Sequence, residues 1–230
     1  MKTIYTCITG TQHKAENKEC QDIIKVFNEN GLNVTVLCDG AGSKKFGTEC
    51  AALVAETTVN YLKNGINNFN AELFLNTVND TLEQNGLNDK NAGSTLIFLA
   101  CDKNKYVIGH IGDGVVLQND GNGFKAVSLP ENGHLVNITY FLPSIYAKEH
   151  FRVKVGKINQ GSSFILSSDG ASNFLYDTAS LEGYKVCEIL ENLAKTLEKS
   201  ECEKQILTSF ENELTQFSSD DMSIAISICE

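Results

Sequence analysis

The stretch IIKVFNENGLNVTVLCDG, residues 23–40, decides how this chain folds. Two runs rich in Ile and Val flank Asn30-Gly31, a dipeptide suited to the positive φ angles of a tight hairpin turn. The second run stops at Asp39, beside Gly40. Two antiparallel strands with a carboxylate at the end of the second are therefore expected. The same ending recurs: HIGDG closes an apolar run at Asp113, and FILSSDG closes another at Asp169. A fourth case is reversed, since Asp220-Asp221 opens the run MSIAISI. Carboxylates set repeatedly at strand ends, from distant parts of one chain, point to one acidic cluster. Like charges a few Å apart disfavour joint ionisation unless cations lie between them. The expectation is a hard-metal site of oxygen ligands, which suits magnesium or manganese rather than zinc or copper.

Outward from the hairpin, the period of the pattern changes. Ala51, Val54, Ala55, Val59 and Leu62 share one helical face, and Asn64-Gly65 ends that helix. Leu73, Phe74, Val78 and Leu82 mark a second helix over roughly 70–85. Before the hairpin, residues 4–10 read as a strand and 11–22 as a polar loop. Strands return at 94–102, 105–113 and 114–120, and the turns between them predict a meander. An irregular stretch covers 128–150. Strands at 151–158 and 162–170 precede a helical segment over 183–217, and the chain closes on a strand at 222–230. Strands in runs and helices in runs predict antiparallel sheets with helices segregated outside.

At 230 residues, with 42% hydrophobic residues, two prolines and no Gly/Ser-rich linker, the chain is expected to form a single domain over 1–230. The net charge of -10 argues against a nucleic-acid surface. Eight cysteines include no CxxC pair, and most lie in apolar runs; they read as reduced thiols acting as small hydrophobes. No apolar span of 18 residues and no signal-peptide core occur, so a cytoplasmic protein without membrane contact is expected.

GAGSKKFG (40–47) lacks Walker spacing and reads as a loop, with Lys44 and Lys45 available to draw in a phosphorylated substrate. The four histidines His13, His110, His134 and His150 form no metal-ligand set. His110 reads as a packed core residue; His13, in the polar loop before Asp22, is the functional candidate. EF-hand spacing is missing, as are the Cys-x5-Arg and GxSxG nucleophile motifs.

Taken in order, CQD (20–22), VLCDGAG (36–42) with GTECAA (47–52), GSTL (93–96), HIGDG (110–114), FILSSDGASNFL (164–175) and SDDMSIAI (219–226) resemble the metal-dependent protein phosphatase family, also called type 2C or PPM. GTQHKAENKECQD (10–22) and NGHLVNITYF (132–141) are similar to a bacterial subgroup. The resemblance implies an α+β fold, a four-layer αββα sandwich of two antiparallel sheets flanked by helices. It implies a phosphoserine/phosphothreonine protein phosphatase with two Mn2+ or Mg2+ ions and a weaker third. A hydroxide bridging the two ions would attack phosphorus directly. Carried over by position, Asp39 bridges the metals, Gly40 offers its carbonyl, Asp169 and Asp220 are direct ligands, Asp22 holds metal-bound water, and Asp113 serves the third metal. The segment 128–150 corresponds to the family's flap beside the metals.

The chain departs from the family's pattern at several places. Asn17 stands where an arginine usually grips phosphate, with His13 or Lys14 as the substitute, and Lys44 is the other expected substrate contact. Ala41 replaces a proton-donating histidine of many eukaryotic members. Gln21, Asn173 and Gly114 also differ, and Asn173 implies a weakened third-metal site. The expected partners are a phosphorylated protein and an opposing Ser/Thr kinase, with the chain a monomer. The rival reading is a catalytically weak or silent member serving as a binding or regulatory module.

Overall fold

A computed structural model describes residues 1–132 and 139–229. It divides into two compact units: Gln21–Asp113 with Pro130–Ile158, and Met1–Cys20 with Gly114–Leu129 and Asn159–Glu230. Each contains one five-stranded antiparallel sheet flanked by helices.

In the first of these, β2 (Asp22–Glu29) and β3 (Leu32–Asp39) form the expected hairpin. Its turn residues Asn30 and Gly31 have φ of 53° and 79°. Gly31 adopts that angle without steric cost, and Asn is among the side chains that tolerate it best. The sheet continues through β4 (Leu96–Cys101) and β5 (Lys105–Ile111) to β8 (Arg152–Lys157), in the order β2-β3-β4-β5-β8. Strand β4 is buried at every position, so both of its faces are covered, as its unbroken apolar sequence LIFLAC requires. Helices α2 (Gly47–Leu62) and α3 (Ala71–Gln84) lie on this sheet. Asn70 caps α3, its side chain accepting the Leu73 N–H at 2.9 Å. Phe74 sits among Tyr61, Phe69, Phe98 and Phe151, with ring centroids 5.3–5.7 Å away. A short α4 (Ala147–His150) leads into β8.

The second sheet has the order β1-β10-β9-β6-β7, from β1 (Lys2–Ile8), β10 (Met222–Ile228), β9 (Ser163–Ser167), β6 (Val115–Asn119) and β7 (Phe124–Ser128). Helices α6 (Lys185–Thr196) and α7 (Lys199–Glu213) flank it, with Leu190, Ile206 and Phe210 in its core. Two single-turn helices, α1 (Thr11–Ala15) and α5 (Asp169–Ser172), lie at its strand ends.

The expected α+β architecture is therefore present, with four corrections to local readings. The predicted meander is not formed: β5 pairs with β4 and β8, whereas β6 pairs with β7 and β9. The break falls at Gly112, whose φ of +113° turns the chain out of the strand. Strand β7 was not expected, because FKAVS is short. The polar loop 11–22 contains α1, and the segment 183–217 is two helices parted at Leu197-Glu198. Residues 133–138, which include His134, lie outside the described residues. All eight cysteines are free thiols. Burial pushes the Cys50 and Cys187 thiols up to about 12, as inert packing groups require. Among the described residues no helix is long and apolar enough to cross a membrane.

Candidate active site

The hairpin register sets the first part of the site. Asp22 pairs directly with Asp39, so the two side chains stand on the same side of the sheet at its open end. Asp22 is buried. Thr95 fixes Asp39 from the neighbouring strand: its hydroxyl accepts the Asp39 N–H at 2.9 Å, and its own N–H donates to the Asp39 carbonyl at 2.9 Å. The turn after β5 packs against the same threonine, since a Cβ at Gly112 would lie 2.6 Å from the Thr95 methyl. Thr95 thus joins the loop bearing Asp39 to the one bearing Asp113. A carboxylate oxygen of Asp39 and one of Asp113 lie within 4.8 Å of one another. The Thr139 hydroxyl donates to the other side of this pair, at Asp113 Oδ2.

Gly40 is held by its N–H, which donates to the Gln21 carbonyl at 3.2 Å. A Cβ there would meet the Gly47 backbone at 2.7 Å, so the start of α2 admits only glycine. Lys44 donates from Nζ to the Asp89 carbonyl at 2.5 Å and is thereby tied to the loop before β4. Ala41 is buried, its N–H bonded to the Gly93 carbonyl at 2.9 Å, and it brings no proton donor.

The other unit carries Asp169, Asp220, Asp221 and His13. Asp169 follows β9 directly, and its Oδ1 accepts the Gly170 N–H at 2.7 Å. A Cβ on Gly170 would lie 2.1 Å from the Asp221 carbonyl oxygen, so the segments bearing Asp169 and Asp220-Asp221 are in close contact. Asp220 is exposed, with Oδ1 accepting the Asp221 N–H at 2.9 Å. Asp221, which the sequence placed in the acidic cluster only as part of the Asp220-Asp221 pair, is 3% exposed. Its Oδ1 accepts the Gly10 N–H at 2.7 Å, and its Oδ2 meets His13 Nδ1 at 2.9 Å. Only the Asp-Asp doublet at the head of an apolar run hinted at it. Asn17 has φ of 54° and lies in the turn that ends α1.

His110 is a core residue as expected: fully buried in β5, its ring is held neutral by burial and by the nearby Arg152 charge, which both push its pKa well below the usual value. His150 stacks on Tyr140 at 3.4 Å and bonds Glu131 at 2.8 Å, a structural pairing rather than a metal-ligand set.

Chemically, the hairpin end offers oxygen donors only. Two half-buried carboxylates as close as Asp39 and Asp113, with Asp22 beside them, fit a hard divalent cation and no soft one.

Comparisons with known proteins identify the family and the fold. Residues 9–211 match the family profile described as protein phosphatase 2C. The chain is 26% identical over 157 residues to Serine/threonine-protein phosphatase 3 of Escherichia coli (strain K12), which covers 61% of this chain and 62% of that protein. Among solved structures, a bacterial serine phosphatase aligns over 100% of this chain and 98% of its own, with a TM-score of 0.71 and 17% identity. RsbX in complex with magnesium aligns over 99% and 94%, with a TM-score of 0.63 and 16% identity. PppA, described as a key regulatory component of T6SS in Pseudomonas aeruginosa, gives 0.67 and 18% over 99% and 97%. At such identities the likeness is one of fold.

Proposed function

The chain belongs to the protein phosphatase 2C family, and from that premise we propose that it is a metal-dependent phosphatase removing phosphate from phosphoserine and phosphothreonine in proteins. The observation that carries the reading is the hairpin end, where Asp22 pairs with Asp39 and a carboxylate oxygen of Asp113 lies within 4.8 Å of one of Asp39. Such a set is stable as a cation cradle and poor as anything else.

In this reading Asp39, Asp169, Asp220 and the Gly40 carbonyl hold two Mg2+ or Mn2+ ions, with Asp113 serving a weaker third. When bound, the ions supply an activated water and neutralise the phosphoryl charge. Asp22, buried beside Asp39, orients that water by accepting its hydrogen bonds. His13 contacts the substrate phosphate in place of the arginine that Asn17 displaces, and Lys44 draws in the phosphorylated substrate. Thr95 and Gly112 keep Asp39 and Asp113 in place, so little reorganisation accompanies metal entry. The substrate is a phosphorylated protein and its opposite number a Ser/Thr kinase, with the enzyme acting as a monomer in the cytoplasm. The chain crosses between its two units four times, so neither is a contiguous segment; this supports one domain over 1–230.

One observation favours the rival, a silent regulatory module: Asn17, in its left-handed turn, is no phosphate grip. Hydrolysis of p-nitrophenyl phosphate and a phosphothreonine peptide, with Mn2+ or Mg2+, with chelator and in Asp169→Asn, separates the two. Turnover that needs metal and disappears in the variant is expected. A folded protein inert with every metal belongs to the rival.

A further inference from the structure

Resting on that reading, we propose that His13, oriented by Asp221, is the proton donor to the departing serine or threonine oxygen. The argument starts from Asp221. A carboxylate only 3% exposed requires partners, and those of Asp221 include the Gly10 N–H and His13 Nδ1. Three backbone features hold the histidine there. Gln12 N–H donates to the Ser219 carbonyl at 3.1 Å, Lys14 N–H to the Gly10 carbonyl at 2.9 Å, and a Cβ at Gly10 would strike the Asp220 backbone at 2.4 Å. The turn of α1 is thus clamped onto the residues that precede β10.

The hydrogen bond to Asp221 keeps a proton on Nδ1 and fixes which edge of the ring faces outward. Among the described residues Nε2 meets no protein partner, and the side chain is 14% exposed. A buried carboxylate, an imidazole and an unengaged second nitrogen make a positioned acid, not a solvated surface histidine. Its place is also suitable. Asp221 follows Asp220 directly, and its carbonyl abuts Gly170, next to Asp169. The proposed donor therefore stands on the same edge of its unit as two proposed metal ligands.

The step balances as follows. Hydroxide forms a new bond to phosphorus while the bond from phosphorus to the side-chain oxygen breaks. The electron pair stays on that oxygen, which takes the proton from Nε2–H of the imidazolium. Inorganic phosphate leaves, and the neutral ring regains a proton from solvent. Asp221 touches no reacting atom and is a positioning residue.

The test exploits leaving-group acidity, because p-nitrophenolate departs without a proton and an alkoxide does not. In His13→Gln, kcat for the phosphothreonine peptide falls by roughly 100-fold or more, and at least about tenfold further than kcat for p-nitrophenyl phosphate. Mn2+ affinity by calorimetry stays within a few-fold of wild type. The downfield Nδ1–H proton resonance of His13 is present in the wild type and shifts in Asp221→Asn, which checks the positioning contact, while the split between the two substrates separates proton donation from a packing role. In the wild type, a series of aryl and alkyl phosphates shows a shallow rate dependence on leaving-group pKa, a result independent of whether the variants fold. Equal losses on both substrates, or a steep dependence in the wild type, overturn the proposal and leave the phosphatase intact. A wild type inert on both substrates removes the phosphatase reading and this proposal with it.

Discussion

Thr95 illustrates how much one side chain controls here. Its hydroxyl accepts the Asp39 N–H and its methyl receives Gly112. Thr95→Val keeps the shape and strands that N–H, so a loss of about 1–3 kcal/mol is expected in urea denaturation, with weakened Mn2+ binding. Asp22→Asn, which removes a charge without touching a proposed direct ligand, is expected to lower Mn2+ affinity roughly 10–100-fold in calorimetry. His110 gives a pH prediction. Its pKa is lowered by folding, so the unfolded chain binds the proton more readily. Stability is then complete above the ordinary value near 6.5 and declines as pH falls below it, by at most about 1.4 kcal/mol per pH unit from this group. His110→Gln should flatten the fall in urea midpoint between pH 7 and pH 5. The aspartates at strand ends were legible in the sequence, because each ends or opens an apolar run. The Asp221–His13 contact was not, since it joins residues 208 positions apart and neither carries a local signal of the other.

Among the elements, the hairpin β2–β3 and helices α2 and α3 follow the sequence reading almost residue for residue. A strong turn dipeptide, a clear helical stripe and the Asn70 cap all act locally. The failure came where local pattern was silent. Strands 94–102, 105–113 and 114–120 each read as β, but nothing short-range tells which sheet a strand joins; that rests on long-range pairing, and the chain turns out of β5 at Gly112, where φ is +113°. Packing predictions follow the same division. Phe74, fully buried among four aromatic rings, should lose about 3–5 kcal/mol on Phe74→Ala. Its neighbour Leu73 is 58% exposed, and Leu73→Ala should stay within about 0.5 kcal/mol. Urea midpoints of the two variants check both, and similar losses would mean that α3 does not present the face described.

For the molecule as a whole, a net charge of -10 with carboxylates gathered at strand ends predicts a stability that rises with bound cations. Mn2+ at a hundred times its Kd contributes about 2.7 kcal/mol by mass action. That corresponds to about 5–10 °C in Tm for a chain of this size. Differential scanning fluorimetry should show the rise in wild type and lose most of it in Asp39→Asn. The order of strands has a bearing on biosynthesis. Strand β1 has β10 as its partner, and β10 alone connects it to β9. On the ribosome, β1 emerges before every other described strand and waits for the last of them. A nascent chain arrested before Asp220 holds an orphan edge and lacks both Asp220 and the anchor of His13. Emergence of β10, rather than any earlier folding event, is thus the moment at which β1 joins its sheet and His13 meets its anchor.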